Sequence, residues 1–291
     1  MKNPWLLAAR PKTLPASIAP VVVGTALAMR EGKFDLFIFL ATLAAAILLQ
    51  VGANYANDVF DFLKGADKHR VGPTRVTQAG LLTSKQMLIG TGVVFALSAM
   101  IGATLVAVGG LPILIIGVLA IIGAIAYTAG PFPLAYHGLG DVFAFLFFGV
   151  IAICGTYFLQ AKQFTLFALL ASIPTALLVT NIIVVNNLRD IDTDRAANKR
   201  TLAVRIGDRA TRIEYSLFVA IAYLVPLVLW ATGFLRGFAW LIVWLSLPVA
   251  YTLVKVMWQT PRSPALNPIL GRTAQFNLLF ATQFAMGLLF S

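Results

Sequence analysis

From Lys85 to Asp141 the chain reads KQMLIGTGVVFALSAMIGATLVAVGGLPILIIGVLAIIGAIAYTAGPFPLAYHGLGD, with no Asp, Glu, Lys or Arg between its ends. A helix that crosses a bilayer needs about 20 predominantly apolar residues. This run therefore holds two crossings, divided at Gly109-Gly110 and Pro112. A second run, Asp141 to Arg189, is interrupted by Lys162 alone and holds two more. The whole chain has 291 residues, of which 59% are hydrophobic and 11% charged. An average soluble domain has about 25% charged residues, and mean hydropathy here is +0.88. So few charges cannot cover the surface of a soluble protein of this size.

The sequence thus predicts an all-α integral membrane protein with nine transmembrane helices, near 14–30, 36–59, 86–108, 111–129, 139–160, 164–187, 212–232, 237–256 and 273–290. Pro174, Pro226 and Pro248 fall within crossings, where they predict kinks. Residues 1–291 read as one membrane domain, with motif-bearing loops at about 60–85 and 188–211. With nine crossings, the N-terminus and the loops after even-numbered helices share one side. Of the 22 Lys and Arg residues only Arg30, Lys33, Lys162 and Arg236 fall on the other, leaving 18. By the positive-inside rule the rich side is cytoplasmic, which places a multi-pass protein in the inner (plasma) membrane. Ala26-Leu27-Ala28 resembles a signal cleavage site, but Pro15 and Pro20 interrupt the apolar region before it. The net charge of +11 is read as cytoplasmic loops facing anionic lipid and anionic substrate, with no nucleic acid as partner. The single cysteine, Cys154, excludes internal disulfides and thiolate metal clusters.

Placement of the 11 acidic residues carries the functional reading. Asp58, Asp61 and Asp67 follow the second crossing; Asp190, Asp192 and Asp194 follow the sixth. On a helix Asn54, Asp58 and Asp61 share one face, and so do Asn186, Asp190 and Asp194. Carboxylates at a membrane boundary repel one another and are costly near hydrocarbon. Divalent cations relieve both problems, since Mg²⁺ takes hard oxygen ligands and joins carboxylates to substrate phosphates. Bases follow each acidic cluster: Lys64, Lys68, Arg70 and Arg75 after the first, Arg195, Lys199, Arg200 and Arg205 after the second. Lys64, Arg75, Lys199 and Arg205 are candidates for a diphosphate, which Arg contacts bidentately and Lys as a mobile charge. Arg10 and Lys12, before the first crossing, could reach the same place. A third loop contributes Tyr127, Tyr136, His137 and Asp141.

The two Asn/Asp motifs, at 54–61 and 186–194, resemble the signature pair of the UbiA superfamily of intramembrane aromatic prenyltransferases, over nearly the whole chain. Arg10-Pro-Lys-Thr-Leu-Pro15, Gly72-Pro-Thr-Arg75 with Gln78-Ala-Gly80, Gly138-Leu-Gly-Asp141 and Asn187-Leu-Arg-Asp-Ile-Asp192 leading to Arg205-Ile-Gly207 are similar to its 1,4-dihydroxy-2-naphthoate polyprenyltransferase branch. The resemblance implies a nine-helix bundle around a central cavity with a cytoplasmic polar mouth. It implies that Asp58, Asp61, Asp190 and Asp194 coordinate Mg²⁺, with Asn54 and Asn186 in support. It also implies partners: a long-chain prenyl diphosphate, 1,4-dihydroxy-2-naphthoate and membrane lipid. Attack at the ring carbon bearing the carboxylate would then release CO₂. Arg10, Lys12 or Arg75 would hold the acceptor carboxylate, and Tyr127 would line the acceptor site and face the allylic cation. Two departures stand out: only two residues separate Asp58 from Asp61, where many members have three, and no lysine follows Tyr127. Other aromatic acceptors, a phosphatidyl-alcohol transferase and a transporter for an anionic or divalent-ion substrate are rival readings. A transporter places its binding residues near the bilayer midplane, whereas both motifs here end helices at one face.

Overall fold

The computed structural model describes residues 3–65 and 72–291; Lys2, Asp67, Lys68 and Arg70, counted above among the charges, lie outside them. The described residues form helices joined by short loops. In chain order these are α1 Pro4–Ala9, α2 Pro15–Arg30, α3 Leu36–Leu63, α4 Ser84–Ala126, α5 Gly140–Ala161, α6 Leu166–Arg189, α7 Ile191–Ala196, α8 Leu202–Ala231, α9 Ala239–Gln259 and α10 Asn267–Leu289. Short polar side chains start the long ones by accepting orphan backbone N–H bonds. Asp35 accepts from Ile38 N at 3.0 Å and Thr165 from Ala168 N at 3.1 Å. Thr83 and Gln86 form a reciprocal capping box at the start of α4.

At 43 residues, α4 would be about 65 Å long if straight, twice the hydrocarbon core of about 30 Å. It doubles back instead. Gly110 has φ 65°, ψ −154°, a conformation in which a Cβ is strained. Near the end of α3, Tyr55 and Val59 pack with Met87, and Ala53 and Ala56 pack with Ala124. Near its start, Ile38 packs with Leu105 and Ile113. Residues 84–109 and 111–126 are therefore two antiparallel limbs, as the Gly109-Gly110 break predicts.

Six helices among the described residues are long and apolar enough to cross a membrane, or seven if α1 and α2, bent by 50°, count as one. The nine segments read from sequence each fall on a helix, yet that tally is lower for physical reasons. It takes α4 once. In α10, Arg272, Gln275, Asn277 and Gln283 dilute the apolar face, although Phe276, Phe280 and Phe284 are fully buried. The Pro248 kink is not formed. Residues Ala239–Ser246 are 3₁₀-helical, and Pro248 lies in the first turn of the α-helical part of α9, where its missing N–H has no intrahelical partner to lose.

The outward faces of both α4 limbs carry exposed Val93, Leu97, Met100, Leu114, Ile115, Leu119 and Ile122, an apolar surface suited to lipid rather than water. By contrast α6 is mostly buried. Charge separates by end as the topology requires. Arg30 Nη2 donates to Phe234 O at 2.9 Å and Lys162 Nζ to Val108 O at 2.9 Å, all at the end opposite the acidic motifs. Small residues allow close helix approach: a Cβ built on Gly149 would lie 2.2 Å from Ala176 Cβ. Gly149→Val is expected to lower stability by about 1–3 kcal/mol through overpacking. Thermal unfolding in detergent checks this, and an unchanged midpoint would contradict the α5–α6 contact.

Candidate active site

The acidic motifs sit at the C-terminal ends of α3 and α6, where the helices leave the apolar layer. Their carboxylates are buried: Asp58 is 1% exposed, Asp61 2%, Asp190 5% and Asp194 8%. A buried charge must be paired or hydrogen-bonded, and each of these is answered differently.

Asp58 accepts backbone N–H bonds from Val76 at 3.0 Å and Thr77 at 2.9 Å. It thereby pins the Gly72–Gly80 loop across α3 and brings Arg75 to Asp61. Arg75 Nη2 donates to Asp61 Oδ2 at 2.8 Å, both side chains being buried. The other oxygen, Asp61 Oδ1, accepts from the Tyr136 hydroxyl at 3.2 Å. Asn54 Nδ2 donates to Ala9 O at 2.9 Å, so it ties the end of α1 to α3. This fixes where the Arg10-Pro11-Lys12 segment lies. Arg10 takes a left-handed φ of 52°. The Lys12 stem runs beside Gly271 of α10.

The second motif is organised by Arg189, whose side chain is fully buried. Its Nε donates to Asp190 Oδ1 at 2.7 Å and its Nη2 to Asp190 Oδ2. Nη2 also reaches Asn186 Oδ1 at 2.8 Å, and Nη1 reaches Asn267 Oδ1 of α10 at 2.8 Å. The bidentate geometry fixes the orientation of the Asp190 side chain. Asp194 is less well served: Lys199 Nζ lies 3.5 Å from Oδ1, while Oδ2 is buried without a hydrogen-bond partner. Burial pushes its carboxyl up to about 6, with Asp190 and Asp61 adding to the rise and Lys199 opposing it. Asp61 and Asp194, more than a hundred residues apart in sequence, thus feel each other's charge.

Tyr136 stands between the two motifs. Its hydroxyl bonds Asp61, Lys64 Nζ lies 4.9 Å from its ring centroid and Lys199 Nζ 5.5 Å. Lys64 also donates to Thr128 O at 2.7 Å. Arg205 is on the surface. Its Nη2 donates to His137 O at 2.8 Å and its Nε to Arg200 O at 3.2 Å, and Arg200 N bonds Tyr136 O. It therefore braces the loop that carries Tyr136. Tyr127 lies half-buried beside this group. Burial, and then the nearby Asp141, Asp61 and Asp194, hold its phenol well above the ordinary range, so it stays neutral. Asp141, also buried, accepts from Asn187 Nδ2 at 3.4 Å.

Of the expected residues, Asp61, Lys64 and Lys199 meet at Tyr136, Arg205 lies at the rim and the Lys12 stem runs beside α10. Sequence reading passed over Tyr136 as a loop residue and counted Arg189 only as a topological charge. The signal for Arg189 was its place between Asn186 and Asp190 at the end of an apolar helix, where an unpaired base would be costly.

Beneath the motifs lies an apolar cavity of about 400 Å³, within the range of small-molecule sites. Ala124, Phe143 and Phe147 line its near end, the Phe143 ring being 5.9 Å from that of Tyr127. Leu105, Ile113 and Leu159 line its far end. Among the described residues no three His, Cys, Asp or Glu side chains form a closed metal cage. The donors nevertheless suit Mg²⁺, which keeps waters and binds through one or two carboxylates plus substrate phosphates. The unpartnered, buried Asp194 Oδ2 is the acceptor that such an ion would satisfy.

A helical membrane bundle with two acidic helix ends above an apolar cavity defines the class, and the chain belongs to the UbiA prenyltransferase family, whose model matches residues 17–276. A relative from Escherichia coli (strain K12), 37% identical over 99% of this chain and 95% of its own, is named 1,4-dihydroxy-2-naphthoate octaprenyltransferase. One of the same name from Mycobacterium tuberculosis is 40% identical over 77% of each chain. The fold matches a UbiA homolog from Archaeoglobus fulgidus, solved with GPP and Mg²⁺, with a TM-score of 0.67 over 99% of this chain and 100% of that one at 14% identity.

Two predictions concern the charges. Arg189→Met strands a buried Asp190 and is expected to cost about 3–5 kcal/mol, part of which Asp190→Asn restores in the double variant. Thermal unfolding at neutral pH with chelator present measures both. Asp194 has a folded pKa of about 6 against an ordinary 3.8. Its protonated form therefore contributes stability that is fully present below pH 3.8 and lost as pH rises through about 6. In chelator the unfolding midpoint should fall across that window, and Asp194→Asn should flatten the fall.

Proposed function

We propose that the chain transfers a polyprenyl group from a prenyl diphosphate to 1,4-dihydroxy-2-naphthoate, with loss of diphosphate and CO₂, at the cytoplasmic face of the inner (plasma) membrane. The observation that carries this reading is the meeting of Asp61 and Asp194 around Tyr136, above an apolar cavity. An amphiphilic donor needs both parts: charge compensation for its head and a dry slot for its tail. The relatives' names supply the acceptor.

Asp61, Asp190 and Asp194 would hold Mg²⁺; Asp58, expected from sequence as a fourth ligand, has both oxygens engaged by the Val76 and Thr77 N–H groups and, with Asn54 and Asn186, would keep the two helix ends in place. When bound, the ion supplies Lewis acidity toward the leaving diphosphate. Arg75, Lys64 and Lys199 add fixed positive charge where the leaving group gathers its own. The donor's allylic C–O bond breaks and its electron pair leaves with the diphosphate. The ring carbon that bears the carboxylate forms the new C–C bond. The carboxylate then departs as CO₂, and the electrons of its bond return to the ring. No base is required to remove a proton at that carbon, which agrees with a site whose only described histidine, His137, stacks on Phe132 at 3.6 Å. The neutral Tyr127 presents its ring to the allylic carbon, and the apolar walls exclude water that would capture it. Arg10 and Lys12, held beside the mouth by Asn54, receive the acceptor carboxylate; Arg205 acts on the diphosphate from the rim.

The test is an incubation of detergent-solubilised protein with octaprenyl diphosphate and 1,4-dihydroxy-2-naphthoate, with and without Mg²⁺, read by mass spectrometry. A Mg²⁺-dependent prenyl naphthoquinol lacking the carboxylate is expected. Prenylation of a different acceptor only, or of none, would overturn the reading. Asp61→Asn and Asp194→Asn should each lower turnover by about a hundredfold or more, with unfolding in Mg²⁺-free buffer showing both variants folded.

A further inference from the structure

The Gly138-Leu-Gly-Asp141 stretch has no task in the reaction as drawn above, yet its acid stands beside the reacting groups. Asp141 lies in the first turn of α5 and is 5% exposed. A carboxylate buried to that degree is ordinarily paired. Asp61, Asp190 and Asp194 each have a base beside them; among the described residues Asp141 has none. Its side chain takes its own backbone N–H and Asn187 Nδ2 at 3.4 Å, a long bond from a neutral amide. From α8 the neighbour is a second acid, Glu214. A helix start favours a negative side chain, which accounts for the position but leaves lone pairs unused. The surroundings fix the depth. Gly140 lies under the Tyr127 hydroxyl, since a Cβ built on it would stand 2.9 Å from that oxygen. Phe143, two residues on, packs against Tyr127 and lines the near end of the inner cavity. Asn187 adjoins Asn186 of the second acidic motif. Asp141 therefore sits between the acidic motifs and the apolar cavity, beside Tyr127.

We propose that Asp141 is a general base toward the acceptor, taking the proton of the ring hydroxyl next to the carboxylate-bearing carbon as that carbon attacks. The inference rests on the prenyl-transfer reading above and adds the path of the proton. The new C–C bond draws a π pair out of the ring. A lone pair of the hydroxyl oxygen replaces it, the oxygen becomes a carbonyl, and its proton passes to Asp141. The attacked carbon then bears the prenyl group and the carboxylate, next to that carbonyl. The bond to the carboxylate breaks and CO₂ leaves. Its electron pair restores the aromatic ring, and the carbonyl oxygen, now an oxyanion, takes the proton back from Asp141. The base ends as it began, and no oxidant or further base is consumed. The proton moves at oxygen, so the attacked carbon still needs no base. A carboxylate without an arginine keeps the lone pair and the basicity for this step, which Asp190, gripped by Arg189, does not. Asn187 steadies the group from the side of the second motif.

Asp141→Asn keeps the size of the side chain and removes the base. The full chain in detergent, with Mg²⁺ and octaprenyl diphosphate, is assayed anaerobically for transfer to 1,4-dihydroxy-2-naphthoate from about pH 7 to about pH 9. At the lower end the variant's kcat should fall about a hundredfold, while its Kd for octaprenyl diphosphate with Mg²⁺ is unchanged. As pH rises, its kcat/KM relative to that of the unsubstituted protein should climb about tenfold per pH unit, because the acceptor then arrives with its hydroxyl ionised and needs no base. A purely structural role would not move the pH profile. Parallel profiles in the two proteins, or a variant kcat close to that of the unsubstituted protein, would overturn the proposal. Should Asp141→Asn not bind the donor, Asp141→Ser carries the same comparison. Absence of transfer by the unsubstituted protein, with donor bound, would instead remove the functional reading on which the proposal rests.

Discussion

Carboxylates buried where helices leave the bilayer must find a compensating charge or donor, and most of the polar architecture follows from that requirement. Asp58 takes two backbone N–H groups, Asp61 takes Arg75 and Tyr136, and Asp190 takes Arg189. Each answer draws a separate piece of chain to the same place. The Asp58 bonds fold the Gly72–Gly80 loop back over α3. Arg189 reaches Asn267 and so connects α6 to α10. Asn54 performs the same service for α1. A loop that would otherwise be a mere connection becomes part of a rigid polar cap.

That cap stands on a bundle with empty space left in it. Glycine at 149 brings α5 against α6, and the hairpin at Gly110 folds α4 along α3. On the other flank, the π-helical turn of α5 and the small residues facing it keep the cavity from filling. Close packing is the rule in protein interiors, so a space of this size is specified, and its apolar lining selects what enters.

Much of this could be read in the sequence. Charge-free runs define the helices, and the Gly109-Gly110 break divides α4 because the combination of φ 65° and ψ −154° found there suits glycine. The shared faces of Asn54, Asp58 and Asp61, and of Asn186, Asp190 and Asp194, follow from helical spacing. Partners do not. Nothing local says that Asp58 bonds the N–H groups of Val76 and Thr77, since a backbone donor has no residue type to betray it. Tyr136 was hidden for a related reason: a loop aromatic gains meaning only when two distant helix ends converge on it. Pro248 misled because helix-interior and first-turn prolines look alike in an apolar run. The cavity walls are invisible to sequence, being a property of how α2 to α5 pack.

Bases of the site are engaged by its own acids: Arg75 with Asp61, Arg189 with Asp190, Lys199 with Asp194. A diphosphate arriving alone would have to compete with those carboxylates, and a cation arriving alone with those bases. On the proposed reading the two arrive together and would exchange partners: phosphate oxygens would take the Arg75 and Lys199 donors while the ion would take the Asp61 and Asp194 carboxylates. Charge balance is then kept at each stage, in surroundings where an uncompensated charge costs several kcal/mol. Lys64 and Lys199 both lie against the Tyr136 ring, Lys64 donating to the Thr128 carbonyl and Lys199 paired with Asp194. Arg189, fully buried and bonded on every side, cannot move. Arg189 keeps Asp190 and Asn186 in register as a fixed frame, and on the proposed reading Lys64 and Lys199 bring positive charge to the leaving group.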